Sequence, residues 1–197
     1  MKDARGLDVT ADHPDAVAAA DDFAARLLRL DQGVEAILDA AKRWPQTAIL
    51  RLYCAAFWLY GQTGEALANA VLHLTACEAL EMNPRERTLH RALMLWHAND
   101  NLRAVAAMEA ITSEWPRDLC TAKFAEFLYY VLGQQYMGQR FRAHMSRLEP
   151  LHGDDPDFLA MAAFAHELCA GPRGRGARAH GSIPAAARDL RTADPFP

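Results

Sequence analysis

The feature that most limits what this chain can fold into is the placement of four prolines. Pro45, Pro84, Pro116 and Pro150 are spaced by 39, 32 and 34 residues, and each follows a segment with helical periodicity. Proline lacks a backbone donor and clashes with the preceding turn, at about 3 kcal/mol in a helix interior. Each proline is therefore expected to end the helix before it. Between them, apolar residues recur at three and four. Phe124, Phe127, Leu128 and Val131 form one such face, Leu89, Leu93 and Trp96 another, and Leu102, Val105, Met108 and Ile111 a third. No segment alternates apolar and polar residues long enough to suggest a strand. The pattern predicts helices near 15–30, 32–43, 46–60, 64–81, 86–98, 101–114, 117–132, 135–147 and 156–170. Gly61, Gly64 and Gly133 supply turns, and Asn99 and Asp100 are placed to cap the helix that follows them.

A period near 34 is that of the tetratricopeptide repeat, in which helices A and B pack antiparallel and a proline closes helix B. Residues 85–118 make one such unit, with Ala104 at the small position of helix B and Trp115-Pro116 at its end. Residues 119–152 make the next, and 32–47 echo helix B with the same Trp-Pro. The expected fold is all-α: antiparallel helix pairs stacked as a tetratricopeptide-like right-handed solenoid of about nine helices. The expected organisation is an N-terminal arm over 1–14, a helical repeat domain over 15–170 and a disordered tail over 171–197.

Bulk properties exclude several classes. The chain has 197 residues, 51% of them hydrophobic and 23% charged, enough for one domain with a real core. Its formal charge is −4, and no basic stripe runs through the first 170 residues, so nucleic acid is not an expected partner. No apolar run reaches the length of a membrane span, and the N-terminus has no apolar core of a secretory signal. No membrane partner is expected, and the expected place is the cytoplasm. Cys54, Cys77, Cys120 and Cys169 lie far apart within helical patterns, as small buried or half-buried thiols do.

The stretch 85–134 resembles the tetratricopeptide repeat protein 38 family. The shared features are Arg85-Glu86-Arg87, His90, Ala98-Asn99, a helix ending in Glu114-Trp115-Pro116, Asp118, Lys123-Phe124 and the Tyr130-x-x-Gly133 turn. "GLDVTADHPDAVAAADDFAARLLRL" (6–30) is similar to the family's opening helix, and the similarity runs over about residues 6–170. The resemblance implies a helical-repeat protein and carries no catalytic residues with it. It also implies that His90 is an oriented helix-A residue that hydrogen-bonds across the groove.

The similarity stops after "FLAMAAFAHELCAG" (158–171), where the longer family members continue with another helix B. Residues 171–197 instead hold four Gly, four Pro and five Arg, and carry +3 against −7 for residues 1–170. Three readings stand: a natural disordered terminus, a short docked helix over 184–191, or out-of-frame translation of the next repeat. The third fits best with where the resemblance ends. A truncated solenoid lacks its polar cap. Helix 156–170, with Phe158, Leu159, Met161, Phe164 and Leu168, is then expected to expose apolar surface and drive self-association.

No residue pattern identifies a reaction. His90 and His97 are seven apart on one helix, about 11 Å, too far to share one ion unaided. His166-Glu167 is only the start of H-E-x-x-H, and no phosphate-binding glycine loop is present, so neither a metal nor a cofactor is expected. Glu126 sits among aromatics in "FAEFLYY", where burial would raise its pKa. Aromatic residues Tyr53, Phe57, Trp58, Trp96, Phe124, Phe127, Tyr129 and Tyr130 fall on expected A helices, which line the concave side of such solenoids. The candidate groove residues are Arg51, Tyr53, His90, Arg91, Trp96, His97, Lys123, Glu126 and Tyr130; a core or solvated role is the simpler reading for each. The expected function is a non-catalytic helical-repeat scaffold that binds a protein or peptide on its concave face. The alternatives are a small-molecule-binding or enzymatic protein with its site in the same groove, and a truncated gene remnant without independent function.

Overall fold

A computed structural model describes residues 1–169. The expectations for 171–197, including the helix over 184–191, lie outside the described residues. Among the described residues the chain is all-helical. The helices are α1 (Pro14–Arg29), α2 (Ala36–Arg43), α3 (Ala48–Tyr60), α4 (Gly64–Cys77), α5 (Pro84–His97), α6 (Asn101–Glu114), α7 (Leu119–Leu132), α8 (Gln134–His152) and α9 (Pro156–Cys169). Lys2 and Asp8 form a lone antiparallel bridge in the N-terminal arm. None of the helices is long and apolar enough to cross a membrane.

Local chemistry sets the helix ends. Asn83 accepts from the Glu86 amide while the Glu86 carboxylate accepts from the Asn83 amide, a reciprocal cap that starts α5. Asp100 caps α6 and Asp118 caps α7. Asn99 adopts φ 59°, the left-handed turn that separates α5 from α6. Trp44 (φ −122°, ψ 69°) and Trp115 (φ −121°, ψ 73°) close α2 and α6 with nearly the same backbone, each ahead of its proline.

Two prolines behave otherwise than expected. Pro84 does not end a helix; it occupies the first turn of α5, where a missing N–H costs nothing because that donor has no helical partner. The helix before it stops earlier, at Cys77. Pro150 lies inside α8, which runs on to His152. So near the C-terminus a proline disturbs only the last turn. That turn is also anchored: His152 is buried, and its Nε2–H donates to the Pro116 carbonyl at 2.7 Å. α2 begins at Ala36 rather than near 32, because Gly33 takes φ 87° in the preceding turn.

Each helix packs on the next from α1 through α9, and α3 also packs on α5 and α7 on α9. α3 is apolar nearly all round, as a helix enclosed by neighbours must be. It touches α1, α2, α4 and α5. Ala104 on α6 is fully buried, which suits a position where two helices approach closely. His90 and His97 join α5 to α4: their Nε2–H groups donate to the carbonyls of Leu74 (3.0 Å) and Leu67 (3.2 Å). A carbonyl only accepts, so the ring proton sits on Nε2 in both.

The N-terminal segment adds contacts between distant elements. α1 packs against both α3 and α7, and the Phe23 ring stacks on Tyr53 at 4.8 Å. The arm before it buries Leu7 and Val9. Its Thr10 amide donates to Glu86 (3.0 Å), and the Arg5 guanidinium reaches Asp155 at 2.7 Å. On α9, Phe158 and Met161 are buried, Phe164 and Leu168 half-buried and Leu159 exposed.

Candidate functional site

Asp118 starts the helix that carries most of the site. Its Oδ1 accepts from the Thr121 amide at 2.9 Å, capping α7, and its Oδ2 accepts from Arg85 Nη1 at 2.9 Å. Arg85 also donates to the Asp8 carbonyl at 3.1 Å, so one buried guanidinium ties α5, α7 and the arm together. From this start, α7 divides into two faces. Phe124 and Leu128 are buried in the core. Lys123, Glu126, Phe127 and Tyr130 follow at the i, i+3, i+4, i+7 spacing and share the other face.

That second face meets the end of α1 and the start of α9 around a cleft of about 490 Å³. Leu28, Arg29 and Leu30 form one wall, Pro156, Asp157, Ala160 and Phe164 another, and Lys123 with Glu126 the third. Lys123 Nζ donates to Glu126 Oε1 at 2.6 Å, with both side chains about nine-tenths buried. Glu126 Oε2 is buried and has no hydrogen-bond partner among the described residues. Burial pushes the Glu126 carboxyl upward, and the Lys123 ammonium opposes that shift. Arg29 Nε donates to Asp157 Oδ1 at 3.2 Å across the cleft wall. Tyr130 is exposed next to it, its ring 6.3 Å from that of Phe164.

The sequence-predicted groove residues do not converge on one place. Lys123 and Glu126 line this cleft, and Tyr130 stands at its edge against Phe164. Tyr53 and Trp96 are core residues: Tyr53 lies under Phe23 and against Phe124, and Trp96 packs among Tyr60, Phe124 and Phe127. His90 and His97 bond to α4, the helix alongside, rather than across a groove. Arg51 donates to the Pro45 carbonyl at 2.9 Å and lines a separate cleft of about 440 Å³ with Trp58 and His73. Arg91 is exposed on α5. Arg29, Asp157 and the α1 end were missed by sequence reasoning. Arg29 and Asp157 lie 128 positions apart, and nothing local signals their meeting.

A second polar cluster lies between α6, α7 and α8. Arg140 donates twice to the Glu109 carboxylate, at 2.9 Å each, and the Tyr129 hydroxyl donates to the same carboxylate. Tyr129 is also 3.1 Å from His144 Nδ1, and His144 Nε2 is 2.7 Å from the Thr112 hydroxyl. Neither this cluster nor any other among the described residues brings three His, Cys, Asp or Glu side chains together as metal ligands. Cys54, Cys77 and Cys120 are buried free thiols, and burial pushes Cys54 and Cys77 up to about 12.

The fold and the cleft thus define an all-helical protein with a charge-lined site between its first, seventh and ninth helices. No protein-family model matches the chain, and no curated protein and no solved structure matches it.

Proposed function

We propose that the chain is a non-catalytic helical-repeat module of the kind the resemblance to the tetratricopeptide repeat protein 38 family implies. Its helix pairs stack as a tetratricopeptide-like right-handed solenoid, and it binds a protein or peptide on its inner face in the cytoplasm. The stacking is supported by the unbroken sequence of neighbour contacts, by the α3–α5 contact and by the matching Trp-Pro helix ends. In such a stack α3, α5 and α7 are inner helices. α1 occupies part of that side by packing on α3 and α7. The open stretch is the α1–α7–α9 cleft, and its charged pair beside exposed Tyr130 is the observation that carries the binding reading.

The test is selection of displayed random peptides on the full chain, followed by affinity measurement against Tyr130→Ala and Phe164→Ala. Selected peptides should lose roughly tenfold or more in affinity, as loss of an aromatic contact in a binding site does. Peptides that bind both variants as well as the parent chain would place the site elsewhere. A second reading, a small-molecule or enzymatic site in the same cleft, is favoured by the enclosure of the Lys123–Glu126 pair on three sides. Selection that returns no peptide, alongside binding of small polar compounds at Lys123, would support it.

A further inference from the structure

The charges around the cleft are already balanced. Lys123 is paired with Glu126, Arg29 with Asp157, and Arg5 with Asp155. A free anion would meet Glu126, and a free cation would meet Lys123, so neither gains a net partner. What stays unsatisfied is hydrogen bonding. Among the described residues Glu126 Oε2 is a buried acceptor without a donor. Lys123 Nζ carries three donors, and one is used by Glu126 Oε1. An acceptor and a donor therefore stand side by side in a charge-balanced setting at the cleft wall, with Leu28, Leu30, Ala160 and Phe164 as apolar flanks. Oε2 itself is covered, so a ligand meets it by turning the Glu126 carboxylate toward the cleft.

We infer that the Lys123–Glu126 pair recognises an amide group, whose C=O accepts from Lys123 Nζ and whose N–H donates to Glu126 Oε2. The inference rests on the binding reading above and assigns its ligand chemistry. The amide comes either from an extended peptide main chain or from a carboxamide side group, and both satisfy the pair in the same way. A buried acceptor that already balances a cation needs a neutral donor, since hydrogen bonding and not charge is what it lacks.

The test compares three probes of matched length, hexanamide, hexanoate and hexylamine, by NMR titration of the full chain. Hexanamide is expected to shift resonances of Lys123, Glu126 and Phe164. It should bind roughly tenfold more tightly than the other two, about what one net hydrogen bond supports. In Glu126→Gln the Lys123 charge is unbalanced, and hexanoate should overtake hexanamide. In Lys123→Met the Glu126 charge is unbalanced, and hexylamine should overtake it. The second variant keeps the test intact should the first not fold.

Equal binding of the three probes, shifts confined to other helices, or an unchanged ranking in the folded variants would overturn the inference. A blocked alanine tripeptide that binds more tightly than hexanamide identifies the main chain as the source; the reverse order identifies a carboxamide. Selected peptides that bind at the cleft without the amide ranking would sink this inference and leave the binding reading standing. The ranking without any selected peptide would do the opposite.

Discussion

His144 is enclosed between Thr112 on one side and Tyr129 on the other, and burial pushes its imidazole down to about 4. An unfolded histidine titrates near 6.5. Between those values the unfolded chain binds the proton and the folded one does not. Stability therefore rises with pH across that window and is lost as pH falls from about 6.5 toward 4. The difference is on the order of 3 kcal/mol for a group this deeply buried. Urea denaturation across pH 4 to 7 should show it, and His144→Gln should flatten the dependence in that window. Parallel curves for the two proteins would mean that His144 is not the group responsible. At the same scale, the Arg85-Glu86 pair within the resemblance has a structural account. Arg85 pairs with Asp118 and Glu86 completes the α5 cap, so neither is available to a ligand.

The turn between α7 and α8 shows what a single backbone angle does for an element. Gly133 takes φ 98° and ψ 136°, which L side chains rarely adopt, and an added Cβ would meet nothing nearer than Tyr136 at 4.0 Å. Gly133→Ala should therefore cost about 1–3 kcal/mol through backbone strain alone. Gly64→Ala, in the open first turn of α4, should be neutral or stabilising. Equal denaturation midpoints for both variants would contradict this. Glycines, caps and apolar spacing are local signals, and they are why the helices were legible in the sequence, with one end off by four or five residues at α2, α4 and α8. Pro84 and Pro150 were misplaced because a proline's effect depends on which turn it enters. Reading either as a stop requires knowing that the helix has reached its end, and α8 had tertiary support at His152 that no local pattern reveals.

Across the whole molecule, the N-terminal segment joins elements that the repeat pattern would keep apart. Lys123, Glu126 and Tyr130 were readable as candidates because they share one helix. The other walls of their cleft were not, since the end of α1 meets the start of α9 through the Arg29–Asp157 pair, and Arg5–Asp155 ties the arm to the turn before α9, both between residues far apart in sequence. Arg5→Ala should remove the tie at Asp155. Both side chains are about a quarter exposed, so global stability should fall by no more than about 1 kcal/mol. Hydrogen exchange at Leu7, Val9 and Thr10 should nevertheless quicken, because the arm can then open without the rest of the fold. Unchanged exchange at those amides would show that Leu7, Val9 and the Asn83–Glu86 cap hold the arm unaided. The tie also imposes an order on synthesis. Arg5 and Asp155 are 150 positions apart, so at translation speeds the arm waits on the order of ten seconds for its partner to be made. For the first half of that interval the arm also lacks Asn83, Arg85 and Glu86; once α5 is made these hold it, and the tie to Asp155 comes last.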